Sequence, residues 1–435
     1  MNTSISFQES NIDWIGNIPY SWKLKKGKYL FSNKKEINSD FQCDNLLSLT
    51  LFGVLNKDME SSEGLRPLDY TTYQIFEKDD LVFKLIDLEN KKTSRVGLVH
   101  EKGIMSPVYI RLIPKVNSLP RYFYYQYYDL YKKYIFNYLG SGVRSSLNPT
   151  DLMEMPLVYP PLPEQKQIVS FLDTKTQKID ELIEKTEKKI ELLKEKRTTL
   201  INHCVTKGLN PNAEMKDSGV EWIGEIPSGW GLIQLKYLTS KVGSGVTPRG
   251  GSDVYIDEGI PFLRSQNIHF RRLVLDDVVY ISQEIHEQMS SSKVVPNDVL
   301  FNITGGSIGR CFYTEPNSIE YNVNQHVCII RPNEKILTKF LYYCLYSNLG
   351  QIQVSLNNTG SGKEGLNFQN IKGFILTNVN KNEQQEIVDY LDKQTQKIDT
   401  TIEKETQRIE LLKEYRQSLI SEVVTGKIDV RDWKE

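Results

Sequence analysis

Side chains able to meet a base edge or a phosphate crowd three short stretches in the second half of the chain. FLRSQNIHFRR brings Arg264, Gln266, Asn267, Arg271 and Arg272, NITGGSIGR brings Asn302, Thr304, Ser307 and Arg310, and YNVNQH brings Asn322, Asn324, Gln325 and His326. Arginine suits the paired acceptors of guanine, and asparagine or glutamine suits the donor–acceptor pair of adenine. Glycines among them let backbone N–H groups approach a phosphate. The first half offers Lys84, the KKTSR run with Lys91, Lys92 and Arg95, and then Arg111 and Arg144. Lys363 adds a cation in a late Gly-Ser loop. Each residue alone is an ordinary surface or turn residue. The set carries the reading.

Motifs for covalent chemistry are missing. GSGKE at 360–364 fails as a phosphate loop, because Asn357 stands where the first glycine belongs and Glu364 where Ser or Thr would hold magnesium. YPPL at 159–162 lacks the Asn or Asp before, and the aromatic after, that an amino-methyltransferase tetrapeptide needs. There is no G-x-G-x-x-G after a strand, no H-E-x-x-H and no G-x-S-x-G. Cys43, Cys204, Cys311, Cys328 and Cys344 are odd in number and widely spaced, and the five histidines form no cluster. That argues against disulfides and against a zinc site. We expect no catalytic residues, no metal and no cofactor bound by this chain.

The elements that must position these loops are written twice. Residues 10–30 return as 218–238 around W-I-G-x-I-P-x-x-W, with Trp14, Gly16, Pro19 and Trp22 answered by Trp222, Gly224, Pro227 and Trp230. Two tryptophans flanking a Gly and Pro turn anchor a segment on an apolar core. Residues 164–206 return as 383–425 with 25 of 43 positions identical and no gap. In the first copy Leu172, Thr176, Ile179, Ile183, Thr186, Ile190, Leu193, Arg197, Leu200 and Cys204 step by four and three. In the second, Leu391, Thr395, Ile398, Ile402, Glu405, Ile409, Leu412, Arg416, Leu419 and Val423 do the same. This is a coiled-coil seam, and two matching helices in one chain are expected to pair with each other. Its polar positions, Thr176/Thr395 and Arg197/Arg416, would specify register. Gly208 and Gly426 sit where a C-cap belongs.

Two inserts, about 31–160 and 239–378, resemble each other only faintly. Strand-like runs LLSLTLF, DLVFKLI and VYIRLI mark the first, and VVYI, DVLFNI and HVCIIRP the second. An aromatic helix follows in each, at 121–139 and 339–356, and then a Gly-Ser loop. The expected segments are a first domain at 1–160, a helix at 161–207, a linker at 208–218, a second domain at 219–378, a helix at 379–425 and a tail at 426–435. At 435 residues, 25% charged and 39% hydrophobic, the chain reads as a globular protein of two or three domains. No apolar run reaches the ~18 residues that span a bilayer, and the start lacks the basic and apolar regions of a signal peptide. We therefore expect no membrane association and a cytoplasmic location. Net charge is −1 overall, so nucleic-acid binding would require local basic patches.

Taken in order and with their spacing, W-I-G-x-I-P-x-x-W twice, LPEQKQIVSFLDTKTQKID with its later copy, VTKGLNPNAEMKDSGVEWIGEIP and PFLRSQNI…NDVLFNITGGSIGR…VNQHVCIIRP resemble the specificity subunits of type I restriction–modification enzymes over essentially the full length. The resemblance implies a mixed α/β fold. Two globular target-recognition domains would be joined by two long antiparallel coiled-coil helices, in a pseudo-two-fold internal repeat. It implies double-stranded DNA as ligand, one half-site per domain, with the helices as a ruler for the unread spacer. It also implies two methyltransferase subunits using S-adenosylmethionine, and restriction/translocase subunits using ATP and magnesium. The first insert lacks the P-F-x-R-x-x-N stretch and is expected to be a different type of recognition domain.

Two other readings stay open from the sequence. A coiled-coil adaptor would bind only proteins, and a self-contained enzyme would act without partners. The uninterrupted seam generates a test of the ruler. Matched seven-residue insertions into both helices keep the seam paired and add about 10 Å of rod, roughly three base pairs of duplex. Methylome sequencing should then show both half-sites kept and the spacer lengthened. An assembled, active double insertion that still methylates the original spacing would remove the ruler role.

Overall fold

Apolar runs rich in Val, Ile, Leu and Phe become strands in both inserts, and they do so in the same order. In the first insert these are β1 (Phe31–Ser32), β2 (Leu47–Thr50), β3 (Gly53–Asn56), β4 (Gln74–Phe76), β5 (Leu81–Phe83), β6 (Val96–Leu98), β7 (Gly103–Met105) and β8 (Ile110–Pro114). In the second they are β9 (Thr239–Ser244), β10 (Ile260–Leu263), β11 (Val279–Ile281), β12 (Lys293–Val294), β13 (Val299–Asn302), β14 (Cys311–Tyr313), β15 (Tyr321–Val323) and β16 (Val327–Pro332). The computed structural model describes residues 6–59, 69–86, 88–89, 93–115, 118–140, 146–358 and 365–434.

The two sets pair alike. One sheet runs β1-β8-β5-β6 in the first insert and β9-β16-β13-β14 in the second, antiparallel throughout. A second sheet runs β11-β10-β15-β12, with β10 and β15 parallel. Its counterpart is the β2–β3 hairpin and the β4–β7 pair, joined through a parallel bridge from Leu46 to Ile104. Single hydrogen bonds repeat as well. Leu147 N donates to Leu85 O at 3.0 Å, and Leu366 N to Ile303 O at 2.9 Å. Lys84 N donates to Arg95 O at 3.1 Å, and Asn302 N to Arg310 O at 2.8 Å. The expected difference in type therefore does not extend to topology. It lies in the loops. β2 and β3 turn through Leu51 and Phe52 alone, whereas residues 264–278 separate β10 from β11.

Each aromatic stretch, expected as one helix, is two. In the first, α1 (Pro120–Lys132) and α2 (Ile135–Leu139) part at Tyr134, whose φ of 59° is left-handed. The long helices are α3 (Leu162–Lys207) and, at the end of the chain, α6 (Lys381–Val424). Between them, in the second insert, α4 (Thr338–Tyr346) and α5 (Asn348–Asn357) part at Ser347, which caps α5 by accepting from Leu349 N at 3.2 Å. Gly208 and Gly426 follow the long helices with φ of 73° and 76°. A Cβ on Gly426 would come within 2.4 Å of Pro19 and 2.9 Å of the Trp22 ring, so the cap glycine also makes room for the anchor.

The chain divides into two compact units, Met1–Glu187 with Thr406–Glu435, and Lys188–Glu405. Each unit contains one insert, one anchor motif and half of each long helix, a division that cuts across the linear segments expected from sequence. Trp22 and Trp230 are buried, each 4% exposed, and Trp22 Nε1 donates to Glu164 at 2.8 Å. The tail is not a tail. Val430 is buried in the core of the first unit, and Trp433 packs edge-on against Phe171 with ring centres 5.4 Å apart.

Leu172, Ile179 and Ile190 on α3, and Leu391, Ile398, Ile402, Ile409 and Leu419 on α6, are buried, with Ile183, Leu193, Leu200 and Leu412 half-buried. Within the first unit Arg416 grips Asp180 through two bonds, 2.9 and 3.1 Å, and lies 5.7 Å from the Tyr128 ring. Within the second, Arg197 meets Asp399 at 3.2 Å and lies 5.0 Å from the Tyr346 ring. The same interaction ties α3 to α6 and both to the aromatic helix of the insert. Thr176 and Thr395 do less, each returning its hydroxyl to the helix carbonyl four residues back at 2.7 Å.

Cys204, Cys311, Cys328 and Cys344 are buried, and Cys43 is not. Burial pushes the Cys204 thiol up to about 11 and Cys328 to about 12. Because the thiolate is the nucleophile, Ellman's reagent should release one fast equivalent from the native protein, lost in Cys43→Ser. Two or more fast thiols would contradict this packing.

Candidate nucleic-acid interface

The three polar stretches of the second insert converge, because each follows or joins strands of neighbouring sheets. Residues 264–272 leave β10, residues 303–310 join β13 to β14, and residues 324–326 join β15 to β16. Asn302 Nδ2 donates to Ser265 O at 2.8 Å and to Ser307 Oγ at 3.1 Å, which ties the first two loops. Thr304 Oγ1 lies 2.7 Å from His326 Nδ1, which ties the second and third. A fourth loop, 245–250, joins through Thr247 and Gln325. It passes so close that a Cβ on Gly245 would lie 1.7 Å from Val323 O, so only glycine fits there.

These bonds sort the expected contacts into two kinds. Asn267 and Asn302 are 1% and 0% exposed, and both face inward. Asn267 Oδ1 accepts from Arg264 N at 2.9 Å, while its Nδ2 donates to Val274 O at 2.8 Å, holding the loop closed on itself. As free surface groups, Asn267 and Asn302 are corrected to loop-forming groups, since both are buried and spend their Nδ2 donors inside the loops. Gln266, Arg271, Arg272 and Gln325 are exposed, and Arg264, Thr304, Ser307, Arg310 and Asn324 are half-buried. Arg264 Nη2 donates to Asp277 O at 2.9 Å, fixing its guanidinium across the loop. Arg271 Nη1 bonds Asp399 of α6 at 3.2 Å, so part of its charge is already matched. Arg272 has no side-chain partner among the described residues.

Sequence reasoning missed Thr247 and Arg249. Both lie in GSGVTPRGG, whose glycine density between a strand and the next polar stretch was the available signal. Arg249 is exposed.

In the first insert the topology places Lys84 and Arg95 on the β5–β6 connection, which matches the 303–310 loop. Lys84 is half-buried there and Arg95 is buried at 0% exposure, a correction to its expected place on the surface. Arg111 is likewise internal, 2.5 Å from Asp80, with both side chains under 5% exposed. It answers an interior carboxylate, because an unpaired charge there would be costly. Lys91, Lys92, Arg144 and Lys363 lie outside the described residues. Where the second insert has its 264–272 loop, the first has Phe52, 91% exposed.

Sequence comparison decides the family. The type I restriction modification DNA specificity domain matches residues 16–192 and 228–411. The chain belongs to that family. It is a specificity subunit, the DNA-recognition and non-catalytic component of a restriction–modification complex, and it recognises its target through two domains. The type I restriction enzyme MjaVIII specificity subunit of Methanocaldococcus jannaschii is 23% identical, over 86% of this chain and 88% of its own length. The EcoBI specificity subunit of Escherichia coli is 26% identical, over 70% and 68%. A structure solved in a study of complex assembly and conformational transition of the type I restriction–modification system shares the fold. Its TM-score is 0.73 at 14% identity, covering 94% of this chain and 99% of that one. The adaptor reading is not favoured.

The specificity subunit thus has exposed candidates set on a lattice of buried amides, and the two kinds should respond differently to truncation. Arg272→Ala or Gln266→Ala should leave the melting temperature unchanged and weaken one half-site only, by about 1–3 kcal/mol if a base pair of bonds is lost. Asn302→Ala should lower the melting temperature, since buried partners are left unmatched at about 1–3 kcal/mol. Equal melting temperatures for all three would refute this division.

Proposed function

We propose that the joined loops of the second unit read one half of a split, asymmetric duplex target and the loops of the first unit read the other. Exposed Gln266, Arg271, Arg272, Gln325 and Arg249 are the candidate base and phosphate contacts of the second half, with Arg264 and Arg310 at the rim. Lys84, Lys91, Lys92 and Arg144 are the basic candidates of the first. Two methyltransferase subunits carrying S-adenosylmethionine, and restriction/translocase subunits using ATP and magnesium, would supply the chemistry in the cytoplasm. This chain binds none of those cofactors itself in this reading. No described helix is long and apolar enough to cross a membrane.

One observation carries the proposal. A single strand order recurs under a repeated frame, while the loops at corresponding places differ in length and charge. A shared scaffold presents each set of loops in the same way, and unlike loops meet unlike sequences. Direct reading by side chains then gives each half its own specificity.

Exchanging residues 31–160 for the insert of another family member should change one half of the methylated motif and leave the other intact. Methylome sequencing of a host carrying the chimaera with its cognate subunits provides the measurement. A change in both halves would show that the units read jointly.

A further inference from the structure

The two units treat one seat on the helix pair differently. In the second unit the seat is filled by the unit's own loop. Phe270 packs edge-on against Tyr346 with ring centres 5.2 Å apart, the Tyr342 hydroxyl donates to Phe270 O, and Arg271 bonds Asp399 at 3.2 Å. The repeat offsets give the counterparts in the first unit as Tyr128, Tyr124 and Asp180, the same residue types in every case. Yet β2 and β3 turn directly there; the Tyr128 ring meets residues of its own helix and Arg416, with Tyr131 edge-on at 6.2 Å, and no described residue bonds Asp180 as Arg271 bonds Asp399. A groove of about 830 Å³ lies between that hairpin and the helices, with Tyr124 and Asp180 in its wall and the Tyr128 ring 5.9 Å from that of Tyr124.

The seat keeps its chemistry. The Tyr124 hydroxyl has no hydrogen-bond partner among the described residues, and burial pushes its pKa up to about 12, so it remains a donor. Asp180 is 53% exposed and already accepts from Arg416, much as Asp399 accepts from both Arg197 and Arg271. Arg121 and Arg416 also line the wall, paired with Asp173 and Asp180, and Glu181 and Glu184 leave it with an excess of negative charge. A polyanion such as DNA would be repelled from that wall, whereas a cationic side chain would be drawn to it.

We propose that this groove of the first unit docks a segment of a partner protein in which an aromatic residue is directly followed by arginine. The aromatic ring stands against Tyr128, its carbonyl accepts from Tyr124, and the arginine pairs with Asp180. The occupant does in trans what Phe270 and Arg271 do in cis. The inference is independent of which bases the loops read, so half-site methylation can be followed separately.

The test uses the full chain with Gln177→p-benzoylphenylalanine at the groove wall, co-expressed with its cognate methyltransferase and restriction subunits. The purified complex is irradiated on its target DNA, and the adducts are sequenced. The expected result is an adduct on a partner peptide containing Phe, Tyr or Trp followed by Arg. Adding Tyr124→Phe should lower its yield about two- to tenfold, the worth of one hydrogen bond, with an unchanged melting temperature. An adduct to DNA, an adduct within this chain, one on a peptide lacking that pair, no adduct, or a yield indifferent to Tyr124→Phe would each overturn the proposal.

Discussion

One charge pair, used twice, organises each unit. Arg416 and Arg197 sit in a mainly apolar seam, where they pair with Asp180 and Asp399, and each arginine also lies over a tyrosine of the insert. A partly buried ion pair adds little net stability, because desolvation offsets most of the attraction. Its effect is on register. Sliding either helix by one turn would place an arginine among Ile and Leu without its carboxylate, and that penalty is large. The same pair fixes the aromatic helix against the rod, so the position of the insert and the pairing of the helices are set together.

A second shared device locks the inserts to the frame from the other side. Tyr125 donates to Asp173 at 2.6 Å and Tyr343 to Asp392 at 2.6 Å, while Arg121 and Lys339 pair with those same carboxylates at 2.6 and 2.8 Å. Gln165 and Gln384 each accept from the backbone just before the aromatic helix, at 3.2 and 2.8 Å. Residues of α3 and α6 therefore answer two demands, to the opposite helix and to the insert. That double duty gives a physical reason for 25 identities in 43 positions. The strands answer only to burial, which many apolar residues satisfy.

The helices were legible in the sequence because a four-three stripe uninterrupted by Gly or Pro admits few other structures. The strands at LSLT, LVF and VCIIRP were legible from apolar runs. Their common order was not, since β2, β7 and β4 share no residues with β10, β15 and β12 beyond their apolar character, and pairing depends on long-range closure. Side-chain chemistry named the polar loops of the second insert, but not which members face outward. Asn267 and Arg272 look equally available in sequence. Only the closed loop shows that the first holds the turn that displays the second.

The near-neutral charge follows from this division of labour. A protein that displays cations on short loops while its helix surfaces alternate Lys and Glu has no need of a basic total. Acidic residues such as Asp173, Asp180, Asp392 and Asp399 are committed to holding arginines, lysines and tyrosines in the frame. Their negative charge lies beside the cation-bearing loops, as the Arg271–Asp399 contact shows. A phosphate approaching Arg271 must compete with that carboxylate, whereas Arg272 next to it has no described rival. Two adjacent arginines thereby differ in their electrostatics, because a single aspartate on the helix partly matches the charge of one and not of the other.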